Sequence, residues 1–166
     1  MQDGEVEMIF IISAAPLFVL QDFDGVHHSL EDALKKGVVV LDFWASWCIP
    51  CKRTMPFLDS LAVRHKKSNL TVFGICVDTK RSIGAARAFW RKQGFSYIPL
   101  WDWKGEVSEK YGVKYLPTLF ILNGKREIVY QVKGYSKKIE RELEDTLRKI
   151  ILRHMLDRRK EEKCED

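Results

Sequence analysis

VLDFWASWCIPCKRTMP, residues 40–56, is the stretch on which the reading of this chain turns. An apolar run reaches Trp47, broken only by Asp42 and Ser46, and two cysteines follow, Cys48 and Cys51, with Pro50 between them and Pro56 shortly after. Such a pair is either half of a metal site or a dithiol that opens and closes as a disulfide. A structural zinc site needs four ligands, commonly from two paired clusters. This chain has one pair. Cys76 lies inside an apolar strand and reads as a small core residue, and Cys164 lies in a charged tail and reads as an exposed thiol. His27, His28, His65 and His154 show no ligand spacing with each other or with the cysteines. No metal is therefore expected.

Redox chemistry fits better. Thiol–disulfide exchange needs an exposed thiolate that attacks and a second thiol that resolves the mixed disulfide. The junction between a strand and a helix N-terminus supports the attacker, because unpaired N–H groups and the helix dipole stabilise S⁻. Thiols so placed fall to roughly 3.5–7.5 from about 8.5. Cys48 is expected at that cap as the nucleophile. Cys51 lies one helical turn inward, within bridging reach, as the resolving thiol. Pro50 fixes φ where a first helical turn tolerates it.

The flanking sequence places this motif in an α/β frame. VVVLDFWA, residues 38–45, is a β-branched run suited to a central strand buried on both faces. APLFVLQDFDGVHHSL before it predicts two short strands around an Asp24-Gly25 turn, and Ser29 then caps a helix that ends at Gly37. A helix is expected from the cysteines to about His65, with Pro56 kinking it. A strand (LTVFGICVD), a helix stopping at Gly94, an extended FSYIPLWDW and a short helix follow. A hairpin turning at Asn123-Gly124 comes next, and a last helix begins near Ser136. In that helix Ile139, Leu143, Leu147, Ile150 and Ile151 draw one apolar stripe. Beyond about Arg153 the chain is mostly charge and is expected to fray. Strands alternating with helices argue for an α/β sandwich, and the final hairpin makes its sheet mixed.

The 166 residues suit one domain with a sizeable core. We divide the chain into an N-terminal extension (1–14), the domain (15–152) and a charged C-terminal tail (153–166). The formal net charge of +5 is spread among interleaved acids and reads as a solvated surface. No nucleic-acid motif accompanies the basic stretches. No run reaches the roughly 18 apolar residues of a membrane span. MQDGEVE, preceding MIFIISAAPLFVL, lacks the positive n-region of a secretory signal, so no leader or membrane anchor is legible.

VLDFWASWCIPCKRTMP resembles the active site of the thioredoxin superfamily. YLPTLFIL resembles its cis-proline loop, with Pro117 as the cis residue, and Gly134 resembles the glycine after the last strand. Pro56 matches the helix-kinking proline, and Asp42 matches the buried aspartate of thioredoxin. The segment between Asp78 and Pro117 is longer than in small thioredoxins, and APLF…DFDG resembles the start of TlpA/ResA-like oxidoreductases. The resemblance covers about Ala15 to Leu152. It implies a thioredoxin fold with an α/β insertion before the cis-proline. It also implies a thiol–disulfide oxidoreductase that reduces protein disulfides in the bacterial envelope, including those of apocytochromes c. The redox group would be the Cys48–Cys51 disulfide, with no organic cofactor. Protein disulfides would be its partners, with an upstream electron donor. The resemblance implies a place in the periplasm or cell envelope, the cytoplasm being the alternative, and the chain is expected to be a monomer.

Two residues depart from that branch and a third from thioredoxins. Thr54 stands where it often has Glu, and Asp42 where it often has Asn. Gly74 falls where thioredoxins often have Lys. A charge at Asp42 inside an apolar strand is costly, so burial should raise its pKa and fit it to accept the Cys51 proton. A structural aspartate satisfied by water is the other reading. Trp47, Ile49, Pro50, Leu116 and Pro117 form the expected substrate face, with the Leu116 backbone pairing an extended substrate segment. Trp44 is assigned to the core. Trp90, Trp101 and Trp103 are assigned to packing of the insertion, and Arg87, Arg91 and Lys92 to its outer face. His27 and His28 are expected to face solvent. Two other functions stay open: a thiol peroxidase, although P-x-x-x-T-x-x-C is absent around Cys48, and a non-enzymatic CxxC module that carries a soft metal or docks a partner.

Overall fold

Seven consecutive buried residues, Val38–Trp44, form the central strand of a computed structural model that describes residues 13–164. This strand is the third in the chain. It follows a hairpin of β1 (Val19–Gln21) and β2 (His27–Ser29) and helix α1 (Leu30–Lys36). We label it β3 and continue with α2 (Ile49–Arg64), β4 (Leu70–Cys76), α3 (Ile83–Gln93), β5 (Ile98–Trp101) and α4 (Glu106–Lys110). The chain ends with β6 (Thr118–Leu122), β7 (Ile128–Lys133) and α5 (Lys137–Cys164). The main sheet runs β5-β4-β3-β6-β7, with β3, β4 and β5 mutually parallel and β6 antiparallel to both of its neighbours, β3 and β7. This is the mixed α/β sheet expected from the strand order.

The alternation of side chains along a strand divides the core into two layers. Val38, Val40 and Trp44 of β3 join Leu58 and Leu61 of α2, Trp90 of α3 and Leu143 and Leu147 of α5. Val39, Leu41 and Phe43 face the other way, toward Leu30 and Leu34 of α1 and Val107 of α4. Burial on both faces explains why β3 reads as a continuous apolar run instead of an alternating one. The insertion is part of this core. Trp90 packs at ring-centroid distances of 5.5 Å from Trp44, 4.7 Å from Tyr97 and 6.1 Å from Phe23. The β5 edge of the sheet is covered in part by the hairpin, where Asp22 bridges Leu100.

Several local expectations are met and others are corrected. Ser29 Oγ accepts from the Asp32 N–H, and Gly94 ends α3 in the left-handed region. The β6–β7 turn is longer than the expected two residues. Asn123 Oδ1 accepts from the N–H groups of Lys125 and Glu127, and Arg126, not Gly124, takes φ of 65°. Gly124 is needed for close approach: a Cβ there would lie 2.8 Å from His154 Cε1. That contact also corrects the fraying expected beyond Arg153. Helix α5 runs on to Cys164, with His154 against the hairpin tip and Lys125 paired with Asp157 at 3.7 Å. The side chain of Cys164 and the apolar run up to residue 12 lie outside the described residues.

His28 is not solvent-facing as expected. Its ring pairs with Asp22 at 2.8 Å and stacks edge-on to Phe73. Trp103 does not pack the insertion. It is exposed and carries Lys80 and Lys104 over its ring faces. Arg87 is not on the outer face either. Its guanidinium lies over the rings of Phe23 and Trp101 with Nε buried, because its stem follows the apolar stripe of α3. Arg91 and Lys92 are exposed, with Arg91 paired to Asp24 at 3.6 Å.

Candidate active site

The carboxyl ends of β3 and β4 and the start of β6 meet at one end of the sheet. Trp44 is in register with Cys76, and Phe43 with Thr118, so Pro117 lies beside the strand end that leads into the cysteines. Open α/β sheets place their ligands at this end. The loop Ala45–Cys48 is tied down there by Asp78, whose carboxylate accepts from Ser46 N–H and Ser46 Oγ–H, both at 2.6 Å. The Cys76 thiol donates to the same carboxylate at 3.2 Å, and the Asp78 carbonyl accepts from Trp101 Nε1 at 2.7 Å. Sequence reasoning used Asp78 only as a landmark. A buried aspartate just past an apolar strand, level with a serine past the neighbouring strand, was the available signal.

Cys48 is the N-cap of α2, with extended backbone and Pro50 in the first turn, and its sulfur accepts from the Cys51 N–H at 3.3 Å. The cysteines are joined as a disulfide with Cα atoms 5.3 Å apart. Cys48 retains 5% of its surface and Cys51 none. The attacker is thus less exposed than expected, because it belongs to the same buried cluster as Trp44, Ala45 and Met55. The order of accessibility still favours Cys48. Limiting alkylation of the reduced protein should label Cys48 first, as mass spectrometry would read. Preferential labelling of Cys51 would reverse the roles.

Asp42 follows Leu41 and precedes Phe43, which face the α1 side, so its carboxyl points to the α2 side with Cys51. It is fully buried, and neither oxygen has a hydrogen-bond partner among the described residues. Burial pushes its pKa up to about 8. Its register partner across the parallel ladder is Gly74. The strand neighbour that a lysine would occupy in thioredoxins therefore brings no charge here. Thr54, where the resembling branch often has Glu, is buried and donates to the Pro50 carbonyl. Burial pushes the Cys76 thiol up as well, which keeps it a neutral core residue.

The expected substrate face is split by depth. Trp47 and Ile49 stand out with 67% and 66% of their surface exposed, and Pro50 is exposed beside them. Leu116 is half-buried, and Pro117 is buried, its carbonyl accepting from Gly134 N–H at 2.8 Å. The Leu116–Pro117 peptide is cis. Pro117 thus shapes the loop without offering its own ring, and Tyr115 is an exposed aromatic side chain there.

The redoxin family model matches residues 12–147. The chain belongs to that family. It is 32% identical over 144 residues to thiol-disulfide oxidoreductase ResA of Bacillus thuringiensis subsp. konkukian, covering 87% of this chain and 80% of the relative. ResA of Geobacillus kaustophilus is 34% identical over 143 residues, covering 84% and 80%. A crystal structure from Chlorobium tepidum assigned as thiol:disulfide interchange protein DsbE superposes with a TM-score of 0.78 at 28% identity, covering 84% of this chain and 96% of that one. The chain is a TlpA/ResA-like member of the thioredoxin superfamily and a protein-disulfide oxidoreductase whose redox-active pair is Cys48–Cys51.

Proposed function

We propose that the chain works as a reductant of protein disulfides, with Cys48 as nucleophile, Cys51 as resolving thiol and Asp42 as the proton acceptor. The observation that carries this reading is the strand-to-helix junction itself, with Cys48 at the cap of α2 and Cys51 one turn inward on the face that holds Asp42. In the reduced protein the Cys48 thiolate attacks one sulfur of a substrate disulfide. A mixed disulfide forms, and the substrate's other sulfur leaves as a thiolate. Cys51 then passes its proton to the Asp42 carboxylate and attacks Cys48 Sγ. The substrate's second sulfur leaves, the Cys48–Cys51 bond forms, and two electrons have moved to the substrate.

Trp47, Ile49 and Pro50 give the substrate an apolar landing beside the reacting sulfur, and the Leu116 backbone pairs with an extended segment. Oxidised apocytochromes c are a substrate class of this kind, supported by the resemblance to cytochrome c maturation thioredoxins. The same resemblance supports a site of action outside the cytoplasm, with an upstream donor that re-reduces Cys48–Cys51. Among the described residues no helix is long and apolar enough to cross a membrane. The test is a redox titration of the Cys48–Cys51 couple, paired with turnover on a protein disulfide and on hydrogen peroxide. A reducing couple that turns over the disulfide and leaves peroxide untouched is expected. Peroxide turnover without disulfide reduction would overturn the reading.

A further inference from the structure

Gly74 is the register partner of Asp42, and its bare backbone is roofed by two rings from the insertion. A Cβ at Gly74 would lie 3.0 Å from Tyr97 Cε2 and 3.0 Å from Trp90 Cη2. Tyr97 lies just before β5 in the same buried layer as Cys48, Cys51 and the α2 side of β3. Its hydroxyl is buried and has no hydrogen-bond partner among the described residues, and the two Asp42 oxygens share that condition. The two groups are near enough for a charge on Asp42 to bear on the tyrosine. Buried polar groups are rarely left unmatched, and here a donor over Gly74 and an acceptor on the neighbouring strand are both unmatched on one face of the sheet.

We propose that Tyr97 is a positioning residue for Asp42: its hydroxyl, unpartnered among the described residues, turns to donate to the carboxylate once Asp42 ionises and keeps that group available to take the Cys51 proton. This rests on Asp42 acting as the base. The reason is electrostatic. A hydrogen bond to the charged form of a carboxyl favours that form, opposing the burial that disfavours it. With glycine on the neighbouring strand there is no cation to do so, and the insertion supplies a neutral donor in its place. The residue two further along β3, Trp44, also holds a buried Nε1–H without a partner, so it is the rival donor on this face. The titratable and charged groups around the pair are Cys48, Cys51 and Asp59 on α2, Cys76 on β4 and Arg87 on α3. Tyr130 on β7 lies in the same layer, and Glu142 on α5 bears on Tyr130.

The experiment titrates the Asp42 carboxyl by carbon NMR in the oxidised full-length protein, where the Cys48 and Cys51 thiols are absent. It therefore reads the pair without any exchange activity and fails or succeeds independently of the reductase reading. Tyr97→Phe keeps the ring that packs on Trp90 and removes only the hydroxyl. The Asp42 midpoint should rise by about one pH unit. The rising limb of the exchange rate with pH should move up with it, and Tyr97→Phe should leave the rate profile unchanged when Asp42→Asn is already present. An Asp42 midpoint unmoved or lowered by Tyr97→Phe would overturn the proposal, and so would an equal effect on rate in the Asp42→Asn background. Should Tyr97→Phe unfold the protein, Trp44→Phe gives the contrary test: a rise of the midpoint there as large as the expected one would assign the donor to Trp44 and overturn the role of Tyr97.

Discussion

Cys48→Ser should reduce protein-disulfide turnover at least about a thousandfold, because an alcohol at this position cannot form the attacking thiolate near neutral pH. Cys51→Ser should fail differently. It keeps the attacker and loses the group that resolves, so it should stop after one attack with substrate attached to Cys48 through a mixed disulfide. The asymmetry follows from the helix: the Cys48 sulfur sits at the cap, facing the N–H groups of the first turn, while Cys51 is a turn inward and has no exposed surface. Intact mass spectrometry after mixing with a disulfide-bonded protein reads the adduct, and turnover under an excess of reductant reads the rate. Adducts on Cys51 in a Cys48→Ser protein, or substantial turnover without Cys48, would reverse the assignment.

Much of this site is legible in the primary structure because it depends on local rules. A β-branched run buried on both faces, a cap, a proline in the first turn and a three-residue cysteine separation are all one-dimensional signals. Long-range matches are not. Ser46 and Asp78 are 32 residues apart, and nothing in either neighbourhood says that one carboxylate will bind both the amide and the hydroxyl of the other residue. Tyr97 reads as one more aromatic of the insertion until the register sets Gly74 beside Asp42. The errors have the same origin. Residues 153–164 look like a solvated charge run, yet His154 meets Gly124 across the hairpin tip and the helix continues. Arg87 looks like surface charge, yet its helical phase sets it between two aromatic rings.

Asp42→Asn should make the protein more stable and slower, and the gain in stability should depend on pH. The carboxyl titrates near 3.8 in the unfolded chain and at about 8 in the folded one, because burial disfavours the charge. Between those values the folded state holds a proton that the unfolded state has released. Stability therefore falls as pH rises through that window, and the cost is complete only above about pH 8. At about 1.4 kcal/mol per unit of pKa, the cost at pH 7 is on the order of 4 kcal/mol. The amide cannot ionise and escapes it. Denaturant unfolding of the two proteins should give nearly equal stabilities at about pH 4 and a gap of that order in favour of Asp42→Asn at pH 7. Disulfide exchange near neutral pH should fall about tenfold to a hundredfold in the same variant, since the proton acceptor for Cys51 is gone. A stability gap that stays flat from pH 4 to pH 8 would mean that the carboxyl is not held neutral by burial. Exchange rates unchanged from pH 6 to pH 9 would remove Asp42 from the proton transfer. If both effects appear together, the ionisable carboxyl is retained at a cost in stability because exchange needs it, the trade-off expected where a strained group serves a reaction.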